Sequence, residues 1–298
     1  MNKVAFLFPG QGSQRVGMGK NLVNLYPPAR DIFNQANQIL GFNVEKLCIE
    51  GPEKELNRTS RLQPALLTIN WILTEFIKQK GINPRVVSGH SLGEYNALLA
   101  AEVIDFPTAL KIVRERARLM EEAGKVKKGS MAAIIGLAAK DIIRTCNRIQ
   151  DVYVVNFNCP GQVVISGSSE KVLEAGEELK KIGARKVVHL PVSGAFHSPL
   201  MREAAKKFSS FLEKFQFKEP LCPVVSNATG EYATSAGQIK DNLKLQMDHP
   251  VLWEKSMKLL LGDGFDAFIE VGPGKVLQGL MKRIDKKVNI TGAENYFA

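Results

Sequence analysis

Short apolar runs typical of buried strands alternate with longer segments of helical periodicity along most of this chain. The run Val4–Phe8 is apolar throughout, as expected for a strand covered on both faces of a sheet. Residues 62–77 instead place apolar side chains three and four positions apart, the spacing of one helix face. This alternation predicts an α/β protein with a mostly parallel sheet.

In the middle of the chain, the predicted strands and helices follow a different order. After a basic linker at 125–129, the pattern predicts a strand, a helix, two strands, a helix and a strand, at 131–137, 139–148, 152–157, 162–166, 169–182 and 185–190. The order β-α-β-β-α-β is that of a ferredoxin-like unit. We therefore expect a small ferredoxin-like domain at 127–192, inserted into a larger domain formed by 1–126 and 193–298.

The predicted elements of the larger domain follow from the same patterns. Strands are expected at 4–8, 85–89, 223–226, 267–271 and 288–291, and helices at 62–77, 91–101, 107–123, 199–215, 251–261 and 276–284. A loop rich in Gly and Gln is expected after the first strand. The chain length of 298 residues accommodates one large or two modest domains.

Composition excludes several functional classes. The longest apolar runs, VAFLF and MAAIIGLAA, fall short of the ~20 residues that a membrane span needs. The N-terminus has no signal-peptide pattern, so a cytoplasmic location is expected. None of the four cysteines forms a C-x-x-C pair, so neither a metal site nor a disulfide framework is expected; the cysteines are Cys48, Cys146, Cys159 and Cys222.

The net charge of +10 comes from 40 basic and 30 acidic residues. The basic residues are spread along the chain, and only 7% of residues are aromatic, so nucleic acid is not an expected partner. The densest basic runs, at 125–128 and 282–287, are typical of a solvated surface or of a face for an acidic protein or polyanion.

The segment Gly89-His90-Ser91-Leu92-Gly93 matches G-x-S-x-G between a predicted strand and a predicted helix. In that context, the serine lies on a sharp turn that projects Oγ out of the sheet, and glycines permit the turn. The N–H groups at the start of the helix favour negative charge on the reacting oxygen. Ser91 is therefore a candidate nucleophile, against the alternative of an incidental serine in a glycine-bracketed turn.

A serine nucleophile requires a base, and two of the four histidines are candidates. His197 precedes a serine and a proline that are typical of a helix start, where an imidazole is biased toward its neutral form. His249 lies in a loop before Pro250. The sequence favours His197, and no acidic residue stands out as a third member of a triad.

Arg116 falls on the apolar face of the helix at 107–123, on the side opposite Arg114 and Arg118. A guanidinium on a buried face requires an anionic partner. That partner is either a carboxylate of the protein or a carboxylate of a ligand held by the bidentate guanidinium.

Two segments resemble nucleotide-binding motifs but fail in detail. The glycine pair at 10 and 12 lacks the third glycine, since position 15 is Arg. The segment at 272–275 lacks the first glycine and the Ser or Thr of a Walker A loop. No cofactor is expected.

The motifs together resemble the malonyl-CoA:acyl carrier protein transacylases and the related acyltransferase domains of polyketide synthases. The resemblance spans nearly the whole chain. It rests on Phe8-Pro9-Gly10-Gln11-Gly12-Ser13-Gln14, Gly89-His90-Ser91-Leu92-Gly93-Glu94, the loop at 156–162, Gly194-Ala195-Phe196-His197 and Glu270-Val271-Gly272-Pro273-Gly274-Lys275. It implies an α/β-hydrolase-like core with the inserted ferredoxin-like unit.

The resemblance also implies roles for individual residues. Ser91 would be the nucleophile and His197 its base, while the backbone N–H groups of Gln11 and Leu92 would form an oxyanion hole. Arg116 would pair with a malonyl carboxylate. Gln246 would orient the histidine, which makes a Ser-His dyad and accounts for the missing acid. His249 departs from the family pattern and would add a titratable group near the site.

The implied reaction is ping-pong transfer of a malonyl group from malonyl-CoA to an acidic, phosphopantetheinylated acyl carrier protein, in fatty-acid biosynthesis. Phe196 and Leu92 resemble the malonyl-selective members of the family. The alternatives are a stand-alone acyltransferase that serves a polyketide synthase, a serine hydrolase acting on thioesters or esters, and a non-enzymatic scaffold for carrier proteins.

Overall fold

A computed structural model of the chain describes residues 3–192 and 194–297. The predicted domain limits at residues 1, 193 and 298 lie outside the described residues. Within these residues the strands are β1 (Val4–Phe8), β2 (Val86–Gly89), β3 (Gly129–Ile135), β4 (Val152–Cys159), β5 (Gln162–Ser168), β6 (Lys186–His189), β7 (Val224–Val225), β8 (Tyr232–Ala233), β9 (Ala267–Glu270) and β10 (Ile290–Gly292).

The helices surround two separate sheets. They are α1 (Leu22–Leu25), α2 (Ala29–Leu40), α3 (Val44–Glu50), α4 (Glu53–Leu56), α5 (Thr59–Gln79), α6 (Gly93–Ala100), α7 (Phe106–Val126), α8 (Ala139–Cys146), α9 (Ser169–Lys181), α10 (Arg202–Leu212), α11 (Ala236–Gln246), α12 (Trp253–Gly262) and α13 (Val276–Ile284). Short 3₁₀ turns occur at Pro199–Met201 and Ala293–Tyr296.

The larger sheet has the strand order β10-β9-β1-β2-β7-β8. Its strands pair in parallel except for the short β7–β8 pair at the edge, which is antiparallel. Phe6 and Phe8 of the central strand β1 pack into a core shared with α2, α5, α6 and α7. Ala5 and Leu7 face the opposite core, formed with α12 and α13. Because alternate side chains of a strand point to opposite faces, both faces of β1 are buried and its sequence is apolar throughout.

The smaller sheet has the strand order β4-β5-β3-β6, and all of its pairs are antiparallel. Helices α8 and α9 cover one face, where Ile134 and Ile165 pack against Ile142 and Leu179. The other face contributes Met131 and further side chains to the core of the larger unit. The predicted mixed α/β architecture with a mostly parallel sheet is therefore confirmed, and the second sheet is antiparallel.

The two sheets are joined near the end of β4. Val251 forms an isolated parallel bridge with Asn156. The N–H of Phe157 donates to the carbonyl of Val251 at 2.9 Å, and the N–H of Val251 donates to the carbonyl of Val155 at 2.8 Å. Backbone hydrogen bonds thus fix the small sheet against the loop that precedes α12.

Several element boundaries differ from those expected. The linker predicted at 125–129 is shorter in the structure and spans residues 127–128: α7 continues to Val126, because lysine continues a helix readily, and β3 begins at Gly129. The helix expected from residue 91 begins at Gly93, since Ser91 has φ of 52° and is not helical. The helices between residues 22 and 56, and α11, lie where no element was expected.

Among the described residues, no helix is both long enough and apolar enough to cross a membrane.

Three glycines bring the end of β1, the turn after β2 and the start of α6 into direct backbone contact. A Cβ added at Gly93 would lie 2.0 Å from the carbonyl oxygen of Phe8. A Cβ at Gly89 would lie 1.9 Å from the carbonyl carbon of Gly93, and one at Gly10 would lie 2.3 Å from the carbonyl oxygen of His90. Real Cβ atoms do not tolerate such distances, so these positions require glycine.

We expect Gly93→Ala to destabilise the fold by roughly 3 kcal/mol, because the backbone of β1 must move to accommodate the methyl group. The measurement is the free energy of unfolding from urea titration. Gly279→Ala is the matched control: Gly279 lies exposed inside α13 with no atom within 4 Å of an added Cβ. The control should stabilise the protein by as much as ~1 kcal/mol through helix propensity. Equal effects of the two variants would contradict the contact.

Candidate active site

Ser91 lies at the sharp turn between β2 and α6, as the sequence motif predicts. Its φ of 52° places it in the left-handed region, which is uncommon for a residue with a side chain. The N–H of Gly93 donates to the carbonyl of His90 at 3.0 Å, and the N–H of His90 donates to the carbonyl of Phe8 at 2.9 Å. The strained serine is thus held by the strand before it and the helix after it.

The side chain of Asn227 fixes the same turn from the other side. Its Oδ1 accepts a hydrogen bond from the N–H of Ser91 at 2.6 Å, and its Nδ2 donates to the carbonyl of Gly89 at 2.6 Å. Asn227 is 1% exposed, so both bonds are shielded from water. Nothing in the sequence pattern singled out this residue.

The structure brings His197 to Ser91. Ser91 Oγ lies 2.7 Å from His197 Nε2, and His197 Nδ1 lies 2.8 Å from the carbonyl oxygen of Gln246. Because a carbonyl only accepts hydrogen bonds, Nδ1 carries the proton and Nε2 is free to accept one from the serine. The backbone N–H of His197 also donates to the carbonyl of Met247 at 3.1 Å.

The other histidines lie elsewhere. His249 is exposed and its Nδ1 is close to the carbonyl of Leu245, at 3.0 Å, and to the carboxylate of Asp248, at 2.8 Å. His90 is turned away from the serine, and its Nε2 lies 2.9 Å from Oδ1 of Asn158 in the small sheet. His249 is absent from the walls of the cavity that contains Ser91.

Burial lowers the pKa of His197 to about 3, and the positive charge of Arg116 acts in the same direction. Only 4% of the residue is exposed. The imidazole is therefore neutral at neutral pH, as a general base must be. The sequence suggested a neutral imidazole because of the neighbouring helix start, whereas loss of water is the main cause in the structure.

Arg116 is 1% exposed, and its guanidinium lies beside Ser91. Nη2 donates to Ser91 Oγ at 3.1 Å and to Gln246 Oε1 at 3.0 Å, while Nη1 donates to Gln63 Oε1 at 2.6 Å. Within the described residues, no carboxylate lies within 4.0 Å of this guanidinium. The ring of Tyr95 lies beneath it, with 5.4 Å between the guanidinium carbon and the ring centroid.

Gln246, the last residue of α11, contacts Ser91, His197 and Arg116. Its Nε2 donates to the carbonyl of Ser91 at 2.9 Å and to Glu94 Oε2 at 2.6 Å. Its Oε1 accepts from Arg116, and its backbone carbonyl faces His197. This residue therefore connects Ser91, His197 and Arg116 through its side chain and its backbone carbonyl.

A small cavity of about 70 Å³ opens onto Ser91 between the two sheets. Gln11 and Leu92 line it, and the N–H groups of these two residues form no hydrogen bond within the described part of the chain. The remaining lining residues are Gln63, His90, Arg116, Met120, Met131, Asn156, Leu190, Val192, Phe196 and His197. Two N–H groups without a hydrogen-bond partner among the described residues thus belong to residues that line this cavity.

The loop that carries Gln11 is held from two sides. Asn70 Nδ2 donates to the carbonyl of Pro9 at 3.2 Å and to Asn96 Oδ1 at 3.1 Å. A Cβ added at Gly272 would lie 2.3 Å from Cγ of Pro9, so the segment at 270–275 packs directly on this loop. The position of the Gln11 N–H therefore depends on buried contacts far along the chain.

Four residues of the site were not recognised in the sequence. Glu94 belongs to the nucleophile motif, but its role was not assigned. Gln63 interrupts an apolar stretch of α5, and a buried polar residue at such a position is a usable signal. Asn227 and Asn70 carry no such signal, because their partners lie on distant segments.

A serine on a strand–turn–helix junction, hydrogen-bonded to a buried histidine, defines a class of acyl-transferring and hydrolysing enzymes. The family model described as "Acyl transferase domain" matches residues 5–294. The chain belongs to this family, which confirms the resemblance. It is 42% identical over 292 residues to the malonyl CoA-acyl carrier protein transacylase of Bacillus subtilis (strain 168), covering 97% of this chain and 92% of that protein.

Solved structures show the same fold. An acyl carrier protein S-malonyltransferase from Vibrio cholerae O1 superposes with a TM-score of 0.93 at 42% identity, covering 97% of this chain and 96% of that one. A malonyl-transacylase in complex with its type II polyketide synthase acyl-carrier protein gives a TM-score of 0.94 at 40% identity, covering 97% and 95%.

The buried neutral state of His197 makes stability depend on pH. The unfolded chain takes up a proton near pH 6.5, whereas the folded chain does so only near pH 3. The neutral imidazole therefore lowers the free energy of unfolding as the pH falls below 6.5, by about 1.4 kcal/mol per pH unit, and has no such effect above pH 6.5. Urea titrations from pH 7 to pH 5 should show a smaller loss in His197→Gln than in the wild type. His249→Gln removes an exposed histidine and is the matched control. Equal pH dependence in wild type and His197→Gln would contradict the neutral imidazole.

Proposed function

We propose that this protein transfers the malonyl group of malonyl-CoA to the phosphopantetheine thiol of an acyl carrier protein, through a malonyl-serine intermediate, in fatty-acid biosynthesis. One observation carries the proposal. The guanidinium of Arg116 lies 3.1 Å from the proposed nucleophilic oxygen of Ser91, and among the described residues no carboxylate lies within 4.0 Å of it. A substrate with a free carboxylate would supply the missing partner. The names of the relatives support the same substrate and acceptor.

In the first half-reaction, His197 Nε2 accepts the proton of Ser91 Oγ while the oxygen attacks the thioester carbonyl. The tetrahedral intermediate collapses by breaking the carbon–sulfur bond. The departing thiolate takes the proton from the imidazolium, and coenzyme A leaves. The carbonyl of Gln246, on Nδ1, holds the ring in the required tautomer.

The N–H groups of Gln11 and Leu92 are the proposed oxyanion hole. Both residues line the cavity beside Ser91, and neither N–H has a hydrogen-bond acceptor in the described part of the chain. Donors fixed in advance stabilise the charge that develops on the carbonyl oxygen, and removing one such donor typically costs ~10²–10³-fold in rate.

The second half-reaction runs by the same steps in reverse order. The thiol of the carrier protein gives its proton to His197 and attacks the malonyl-serine ester, and the serine regains the proton as the carbon–oxygen bond breaks. The cavity between the two sheets shields the ester from water, which favours the thiol.

We propose that residues 1–126 and 193–298 form an α/β-hydrolase-like domain and that residues 127–192 form a ferredoxin-like domain. The strand order of the small sheet and its antiparallel pairing support the second part. The four cysteines are free and buried, which suits the reducing cytoplasm that we propose as the location. Service to a polyketide synthase and thioester hydrolysis stay as alternatives.

The test is an intact-mass spectrum after brief incubation with malonyl-CoA, followed by peptide mapping. We expect a gain of one malonyl group on Ser91 that is discharged by phosphopantetheinylated acyl carrier protein. Ser91→Ala should abolish the adduct, while Ser210→Ala, an exposed serine on α10, should retain it. An adduct in Ser91→Ala would place the nucleophile elsewhere. Loss of the adduct at the same rate without a carrier protein would indicate a hydrolase.

Arg116→Ala should lower malonyl transfer by ~10²-fold or more and acetyl transfer far less, because only the malonyl group carries the carboxylate. The measurement is kcat/KM for both acyl-CoA substrates. Arg118→Ala is the matched control, since Arg118 is exposed on the same helix and pairs with Glu115 and Glu122. Equal losses for malonyl and acetyl transfer in Arg116→Ala would make the arginine structural.

A further inference from the structure

Glu94 is a buried carboxylate beside the site to which the mechanism above assigns no role. It is 2% exposed, on the first turn of α6, three residues after the nucleophile. Oε2 accepts a hydrogen bond from Gln246 Nε2 at 2.6 Å, and Oε1 accepts one from the backbone N–H of Asn227 at 3.3 Å. Its position at the base of the site places it away from the substrate cavity, whose walls do not include it.

Each of the two partners of Glu94 holds one half of the reacting pair. Gln246 bears the carbonyl that faces His197 Nδ1. Asn227 bonds the N–H of Ser91, and so supports the left-handed turn of the nucleophile. Both partners present N–H donors to Glu94, and a carboxylate is the side chain that accepts from two donors at once.

We propose that the Glu94 carboxylate is a positioning group for the acyl transfer, an inference that rests on the proposed function. It holds Gln246 and Asn227 together and thereby sets the distance between the catalytic serine and histidine. A carboxamide would turn its NH₂ group toward one of the two donors and lose that bond. A displacement of about 1 Å at such a site is sufficient to cost ~10²-fold in rate.

The protonation state of Glu94 provides a readout that a merely structural residue lacks. Burial raises the pKa of Glu94 to about 7, against the opposing effects of Gln246, Asn227, Arg116 and Ser226. The facing groups are Arg116 from α7 and Gln246 from α11, with Tyr95 next to Glu94 on α6. Protonation removes one of the two acceptor positions. The rate of reaction at Ser91 should therefore begin to fall as the pH drops below about 7, well above the pKa of His197.

The experiment measures the reaction of Ser91 with a fluorophosphonate, a general serine reagent that needs no malonyl group, alongside malonylation by malonyl-CoA. In Glu94→Gln, both rates should fall by about 10²-fold. The wild-type rate of phosphonylation should fall below pH 7, and this limb should be absent in Glu94→Gln. Phe33→Leu, a change in the buried core of α2, is the control for general destabilisation and should leave both rates and the limb unchanged.

Several outcomes would decide the matter. Rates within twofold of wild type in Glu94→Gln, or a wild-type rate that stays level from pH 8 to pH 5, would overturn the inference. The second of these tests uses the unmodified protein and so does not depend on folding of the variant. A wild type that is phosphonylated in a Glu94-dependent way but never malonylated would support the positioning role and overturn the proposed function.

Discussion

Direct backbone contact between β1, the turn after β2 and the start of α6 is the constraint on which the site depends. Gly93 touches the carbonyl of Phe8, and Gly10 lies against the carbonyl of His90. At these distances the two strand ends cannot slide past each other. The Gln11 N–H follows one strand and the Leu92 N–H follows the other. Their separation, and the place of Ser91 between them, are therefore fixed by the main chain.

The ionisable side chains around Ser91 are buried without ionic partners among the described residues. Three ionisable side chains are buried around the serine, and none of them has a direct ionic partner in the described residues: His197, Arg116 and Glu94. Hydrogen bonds from neutral groups take the place of ionic partners: Gln63 and Gln246 bond Arg116, and Gln246 and the backbone N–H of Asn227 bond Glu94. Because the folded pKa of Glu94 is raised, its ionisation makes the fold less stable as the pH rises through about 7. The site thus carries a cost in stability that is typical of functional centres.

Much of the architecture follows from local patterns. The strands β1 and β2 and the helices α5, α7 and α13 were recognisable because apolar periodicity decides the structure of buried elements. The helices α1, α3 and α4 were not, because they are short and begin next to Asn or Pro residues. Helix α2, which has 12 residues, was not recognised either. The left-handed φ of Ser91 was also missed, since the strain at that residue is imposed by tertiary contacts.

The candidate site was predictable only in part for a related reason. Ser91 lies in a motif that predicts a sharp turn from local sequence, and Arg116 is a charged residue on an apolar helix face. His197 was favoured over His249 from its place before a helix start, whereas Gln246 entered only through the family resemblance, and the structure places both beside the serine. Asn227 and Glu94 contact groups that the fold brings together, so their roles depend on distances between segments that are far apart in the sequence.

The bridge between β4 and Val251 bears on how such proteins could be recombined. Val251 is bonded to the small sheet, and four residues earlier the carbonyl of Met247 receives the N–H of His197. In a chimaera that carries residues 127–192 of a relative, the segment around Val251 would pair with a different β4 edge. Whether His197 keeps its position relative to Ser91 would then depend on the pairing at Val251, and not only on the two junctions at which the exchanged segment joins the chain.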